Sequence, residues 1–360
     1  YLSSFPGSSL LGGAALTRAF VEHDLNDMFD GEVRYAKDAF EGLALMDAVM
    51  AVKQGVPGAQ LPEPKKRRYK KVEVVEQREI DTRRSDDVER RIDVPTPPFW
   101  GTRVVKGLPV ADVAQWLDHR ATFLGRWGLK PVKGGPGYEE LVATEGLPRL
   151  RMWLDRITTE QLANFSVVYG YFPVHSEGNT LIVGDPDDPS REVTRLDFPR
   201  QRRDSRLCLA DFFRDADEAR ELGPDVLEMQ LVTMGAEVAR GTQQLFESNR
   251  YREYLELHGL SVQLTEALAE FWHHRVRVEL GFAAEESTVD AAIRDQAYRG
   301  SRYSFGYPAC PNMEDRRKLV TLLGPESIGV ELSEELQLHP EQSTDAMVVH
   351  HPQAKYFNAN

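Results

Sequence analysis

At 360 residues, with 41% apolar and 28% charged side chains, the chain is long enough for one large or two ordinary domains with a packed core. A formal net charge of −13 excludes a general nucleic-acid binder, which needs clustered Lys and Arg against phosphates, and suits a soluble cytoplasmic protein. No apolar run approaches the roughly 18–20 residues that span a bilayer, Tyr1 to Leu11 carries no basic stretch of a secretory signal, and Cys208 and Cys310 supply neither a disulfide framework nor a structural zinc cluster.

In chain order, Ser9-Leu10-Leu11-Gly12-Gly13-Ala14-Ala15-Leu16 reads as a short buried strand entering a glycine turn. A helix is predicted over about Thr17–Met28, a strand over Gly31–Ala36, and a second helix from Asp38, with Leu43, Met46 and Val49 on its core face. Strand–helix–strand–helix implies a parallel sheet. With no initiator methionine and so few strands, residues 1–55 read as the second half of an α/β domain, at the start of a piece cut from a longer protein. Residues 56–95 are rich in proline and in both charges, including Lys65-Lys66-Arg67-Arg68-Tyr69-Lys70-Lys71, and read as a solvated linker with partial helix.

Residues 96–360 form the large unit, opened by the stiff Pro95-Thr96-Pro97-Pro98-Phe99-Trp100-Gly101. Helical patterns cover about 109–127, 138–157, 235–281, 287–298 and 313–323. Strand patterns lie at 166–172, 181–183, 193–196, 230–234 and 346–350. Strands and helices in separate runs predict an α+β domain with long helices on a twisted antiparallel sheet. His273-His274 and His350-His351 do not make a metal site: neighbours on a helix diverge by about 100°, and neighbours on a strand face opposite sides. Gly134-Gly135-Pro136-Gly137 lacks the Lys-Ser/Thr of a phosphate loop, and no Gly-x-Ser-x-Gly elbow occurs.

The most informative stretch is Arg302-Tyr303-Ser304-Phe305-Gly306-Tyr307-Pro308-Ala309-Cys310-Pro311. Pro308 and Pro311 donate no ladder hydrogen bonds, so it reads as a stiff, irregular ligand-holding loop rather than a strand. This block resembles the signature of the activation domain of cobalamin-dependent methionine synthases. Four further segments resemble that family in order: Leu117-Asp118 to Trp127-Gly128, Tyr169-Gly170-Tyr171-Phe172-Pro173, Gln263 to Glu270, and His351-Pro352 to Tyr356. The pattern departs from the family at Gln296, at Tyr303-Ser304-Phe305 and at Asn312-Met313.

The resemblance implies a domain that binds S-adenosyl-L-methionine for the reductive methylation and reactivation of cob(II)alamin. Such a ligand wants a carboxylate for its ammonium, an arginine for its carboxylate and aromatic faces for its sulfonium. Carried over, Asp118 takes the ammonium and Arg302 the carboxylate. The Gly306–Pro311 backbone, with Ala309, holds the nucleoside, Tyr356 and Phe357 line the ligand, and Tyr307 stands where it meets the cobalamin. No side chain is expected to act as nucleophile or general base, and none as a metal ligand. Residues 1–55 resemble the end of the cobalamin-binding domain, with Gly12, Gly13 and Ala39 at strand ends near methylcobalamin. The family's cobalt-binding Asp-x-His-x-x-Gly is absent, so firm cobalamin binding is expected to need the rest of that domain. The implied partners are that domain and a flavodoxin or flavoprotein reductase as electron donor. The alternative is a non-catalytic docking or ligand-sensing module that has lost S-adenosylmethionine binding.

Overall fold

The protein is described by a computed structural model covering residues 8–12, 20–25, 32–37, 39–60, 82–132, 134–202, 205–285, 289, 293 and 295–359. The chain divides into two units, Tyr1–Glu79 and Ile80–Asn360. In the first, strands β1 (Ser8–Gly12) and β2 (Glu32–Ala36) pair in parallel, with Gly12 opposite Ala36. A helical segment, Phe20–Leu25, lies between them in sequence, and helix α1 (Ala39–Lys53) follows. The expected strand–helix–strand–helix order is thus present. Gly12 ends β1 and Ala39 opens α1, while Gly13 lies outside the described residues.

The second unit is built on a seven-stranded sheet whose pairings are all antiparallel. Its strands are β3 (Gly101–Leu108), β4 (Phe165–Glu177), β5 (Thr180–Gly184), β6 (Glu192–Asp197), β7 (Asp225–Thr233), β8 (Ser301–Tyr303) and β11 (Ser343–Val349). They run in the order β6-β5-β4-β7-β11-β8, and β3 pairs with the first half of β4. Between β8 and β11 in sequence, β9 (Glu331–Leu332) and β10 (Leu338–His339) form a small antiparallel pair of their own. A Cβ at Gly170 would stand 2.5 Å from the Gly101 carbonyl, so the β3–β4 approach requires glycine there.

Both faces of the sheet are covered, which is why β4 is buried almost from end to end. On one face lie helices α2 (Val110–Ala114), α4 (Leu147–Thr159), α6 (Glu237–Glu247) and α7 (Tyr251–Glu279), with the short α3 (Tyr138–Leu141) leading toward α4. On the other lie α8 (Asp315–Leu323) and the C-terminal tail, packed on Phe172, Leu227, Met229 and Met347. The short α5 (Ala216–Leu222) opens with a full capping box at Asp215 and Glu218. The α4–α7 contact is pinned by Glu256. Its carboxylate accepts from the Trp153 indole at 3.2 Å and pairs with Arg149 and Arg252, each at 3.2 Å. The Glu256 carbonyl accepts from the Trp127 indole at 3.0 Å.

Three features differ from expectation. The helix predicted over 235–281 breaks at Asn249, which adopts a left-handed φ of 57° and separates α6 from α7. The helix predicted over 109–127 breaks before Ala121, because Asp118 turns its side chain back onto the backbone. Part of the expected linker belongs to the second unit. Arg84 donates to the Phe213 carbonyl at 3.1 Å and pairs with Glu218, Ser85 donates to the Ser205 carbonyl at 2.5 Å, and Val88 is buried. The helix expected at 287–298 falls largely outside the described residues.

The tail is tied down by buried polar contacts. His350 donates from Nε2 to Asp225 at 2.7 Å. Burial pushes the Asp225 carboxyl up, but His350 and the Arg214 and Val226 amides outweigh it and hold it below the usual range. His351 accepts at Nδ1 from the Gln353 amide at 3.1 Å, so Nε2 carries the proton toward the Glu89 carbonyl, 3.2 Å away. Burial lowers the His351 pKa to about 4, against the opposing pull of the Glu89 carbonyl.

Two outcomes follow from this packing. Trp153→Ala removes a wholly buried indole and the partner of Glu256, and should lower unfolding free energy by about 3–5 kcal/mol in a denaturant titration. The depressed His351 pKa means the unfolded state binds the proton first. Its stabilising effect is complete above about pH 6.5 and is lost as pH falls toward about 4. His351→Asn should therefore flatten the pH dependence of stability in that window, by up to about 1.4 kcal/mol per pH unit, read from urea unfolding at successive pH values.

Candidate functional site

The edge strand β8 organises the candidate site. Sequence reading took residues 302–311 as loop throughout, but Ser301–Tyr303 pairs with β11, setting Arg302 opposite Val348 and Tyr303 opposite Met347. Both prolines lie beyond the paired residues, so they cost the ladder nothing. Residues opposite one another in the ladder share a face. Tyr171, Glu228, Val348 and Arg302 therefore form one row across β4, β7, β11 and β8, on the face beneath α7. Tyr303 points to the other face, among the tail residues, and donates to the Lys355 carbonyl at 2.8 Å.

Arg302 is 20% exposed and meets two carboxylates of α7, Glu270 at 3.4 Å and Glu266 at 3.9 Å. Their spacing of four places both on one stripe of the helix. Glu270 is largely buried, whereas Glu266 is 54% exposed. Sequence reading saw these acids as helix surface. The available signal was the pairing of two carboxylates, four apart, on the helix inside a segment already singled out, 263–270.

The rest of the row is unusually polar for a covered face. Burial pushes the Glu228 carboxyl well above its ordinary value; Glu279 adds to this and Arg302 opposes it. Burial thus favours the uncharged form of Glu228 beneath α7. Glu279 accepts from the hydroxyls of Tyr171 at 2.9 Å and Tyr169 at 3.2 Å. Burial, with Arg277 and Arg302 nearby, keeps His273 neutral, its ring edge-on to Tyr298 at 5.0 Å. His274 packs on Trp116 instead. The two histidines diverge as the helix geometry requires, and the described residues contain no cluster of three or more metal-ligating side chains.

Beyond Tyr303 the chain closes a tight turn. The Gly306 amide donates to the Cys310 carbonyl at 2.9 Å, and the Cys310 amide to the Tyr307 carbonyl at 2.9 Å. Gly306 has φ 93°, and a Cβ there would lie 2.5 Å from the Met313 sulfur, so this corner needs glycine. The Cys310 thiol donates to the Ser304 carbonyl, and burial lifts its pKa to about 12. Ala309, expected to hold the nucleoside, is instead fully buried, backbone included, because it packs into the core beneath the turn. Tyr307 stands 57% exposed and Tyr356 of the tail 52%.

The predicted residues therefore separate. Arg302 lies on β8, Gly306 and Tyr307 in the turn that follows it, and Tyr356 on the tail within electrostatic reach of Tyr307. Phe357 does not join them: it is buried against Phe212 and Tyr303, because the tail turns inward after Tyr356. Asp118 is half-buried and stands just ahead of the helical stretch that begins at His119, its Oδ1 accepting from the Ala121 amide at 2.8 Å. Its segment reaches the same long helix, where Trp116 packs on Phe271 and His274. A shallow cavity of about 480 Å³ beside Gly107, Ile157 and Arg240 shares none of these residues. No helix among the described residues is long and apolar enough to cross a membrane.

Residues 144–360 match the family described as vitamin B12 dependent methionine synthase, activation domain. The methionine synthase of Mycobacterium tuberculosis is 54% identical over 97% of this chain, and that of Mycobacterium leprae 52% over 97%. The chain spans about a third of the length of these relatives, 32% and 31%. In fold it is similar to the MetH reactivation domain crystallised bound to AdoHcy, with a TM-score of 0.65 at 23% identity over 74% of this chain and 84% of that one. The identity to the mycobacterial proteins extends across nearly the whole sequence, and the activation-domain match covers most of the second unit, Arg302 and its turn included: the chain belongs to the vitamin B12-dependent methionine synthase activation-domain family.

Proposed function

We propose that the second unit binds S-adenosyl-L-methionine at the β8 edge and presents its methyl group for the reductive methylation of cob(II)alamin, reactivating a methionine synthase of which this chain is the C-terminal part. The observation that carries this reading is the pairing of Arg302 with the exposed carboxylate of Glu266; Tyr307, in the turn that follows β8, and Tyr356 of the tail offer exposed rings. An amino-acid zwitterion needs one cation and one anion side by side, and here the sheet supplies the cation and the helix the anion. Arg302 holds the ligand carboxylate; its partner Glu270 stays below as a fixed counter-charge. Glu266 and Asp118 are the two candidates for the ammonium. The tyrosine faces suit the sulfonium, and the backbone of the Gly306–Cys310 turn offers the nucleoside its hydrogen bonds.

In the overall reaction the sulfonium carbon–sulfur bond breaks. Bound cobalamin would take up that methyl group with one electron from a flavodoxin or flavoprotein reductase, and S-adenosylhomocysteine would be the product left for this chain to release. Cobalamin supplies the metal that accepts the methyl group. In the first unit, Gly12 stands at the C-terminal end of a parallel strand, where a ligand of an open sheet belongs, and Ala39 opens the helix that follows the other strand; both are small enough to let a ligand approach. Gly13 follows Gly12 in sequence. This chain's own contribution to the chemistry is orientation. A methyl group held in line replaces a bimolecular encounter, and no side-chain base or nucleophile is called for.

Calorimetric titration with S-adenosylmethionine tests the assignment. The wild-type chain should bind. Arg302→Ala should weaken binding by roughly 10–100-fold, the worth of a charge-assisted hydrogen bond. Comparison of Glu266→Gln with Asp118→Asn identifies the ammonium partner, since only one should lose affinity comparably. Absence of heat with the wild type overturns the reading. Wild-type affinity in Arg302→Ala overturns the site.

A further inference from the structure

We infer that residues 84–94 act as a strap that positions the ligand-binding edge, with Gln353 and Arg299 as its two fasteners. This rests on the site proposed above. The strap is the first described segment of the second unit, and covalently it continues the chain arriving from the first unit.

At its start the strap is fixed to the body of the fold through Arg84, Ser85 and the buried Val88. Further along it touches the two segments that carry the candidate site. The Gln353 carboxamide bonds the strap backbone twice: its Oε1 accepts from the Glu89 amide at 2.7 Å, and its Nε2 donates to the Asp87 carbonyl at 3.1 Å. A side chain thus stands in for a strand neighbour, joining residues more than 260 positions apart. His351 adds the bond from Nε2 to the Glu89 carbonyl, and its Nδ1 accepts from the Gln353 backbone amide, so the ring holds the Gln353 backbone in place. Tyr356 lies three residues beyond Gln353.

The second fastener serves the other segment. Arg299 donates from Nη2 to the Asp93 carbonyl at 3.1 Å and from Nε to the His350 carbonyl at 2.9 Å. Its guanidinium therefore ties the strap to the tail, and it lies three residues before Arg302. The edge that presents Arg302 and the tail that presents Tyr356 share this one support. Neither Gln353 nor Arg299 belongs to the proposed ligand contacts, so their effect on a ligand must be indirect. By linkage, whatever the ligand does to the tail must act back on the strap to the same extent. A displacement of the chain arriving from the first unit would change ligand affinity by the same route.

The test uses the full 360-residue chain, S-adenosylmethionine calorimetry and amide hydrogen exchange. Gln353→Ala removes both strap bonds and should weaken binding about tenfold, two net hydrogen bonds being spent partly on order elsewhere. Gln353→Glu keeps the acceptor for the Glu89 amide and should fall between. Arg299→Lys should weaken binding, while Arg91→Ala, an exposed strap residue paired with Glu221 at the surface, should not. In the wild type, saturating S-adenosylmethionine should slow exchange at residues 87–89, and Gln353→Ala should abolish that slowing; a merely structural glutamine would leave no such ligand-dependent signal. Wild-type binding with unchanged affinity in Gln353→Ala, or binding without any change of exchange at 87–89, overturns this inference and leaves the site standing. Absence of heat in the wild type overturns the site and this inference with it.

Discussion

A guanidinium placed beneath a helix, on the covered face of a sheet, has to be given a counter-charge where it stands. Arg302 occupies such a position, and α7 answers with Glu270, held low and largely out of water. Once that pair exists, the register of β8 on β11 and the rotation of α7 over the sheet are linked. A one-residue slip of β8 would send the charge to the apolar side, among Phe305, Phe357 and Met347. The remaining polar groups of the row follow suit: burial favours the uncharged form of Glu228, and Glu279 collects the hydroxyls of Tyr169 and Tyr171. The face that carries the candidate chemistry is thus an exception tolerated within a core otherwise made of Trp153, Phe165, Val167 and Leu264.

The same pair explains why the candidate site lies at an edge. A central strand would have buried Arg302 on both sides. At β8 the guanidinium keeps one flank toward solvent, and Glu266, one helical turn from Glu270, completes a cation–anion couple that water reaches. The turn that follows costs little further order. Gly306 and the paired amides of residues 306–310 close it locally, while Tyr307 is left outside.

Much of the fold was legible in the sequence because periodicity reports burial. The long runs at β4, β7 and α7 show it plainly. The predicted α+β class and the strand–helix alternation of the first unit agree with the structure. What periodicity hides are elements that take their form from neighbours. β3 was missed because Thr102, Arg103 and Lys106 alternate weakly and one of its faces is half-exposed. β8 has three residues, too few for a period, and exists because β11 offers an open edge. Residues 82–95 look like linker by composition. They are ordered by backbone bonds to distant side chains, such as Gln353, that no local window can contain. In the candidate site, Arg302 and the glycine corner were singled out from the block at 302–311 and the family resemblance it carries. Glu266 was not, since a carboxylate on a helix surface announces nothing until the strand beneath it is known, and Phe357 reads as a ligand wall until the direction of the tail is seen.

The alternation of β8 has a last consequence. Ser301 and Tyr303 look into one compartment and Arg302 into the other, so three consecutive residues serve two environments with different rules. A change at 303 is felt as volume, in a room already filled by Phe357 and Ala354. A change at 302 is felt as charge, in a room furnished with acids and tyrosines. The strand acts as a partition, letting the recognition chemistry on one side be retuned without disturbing the masonry on the other.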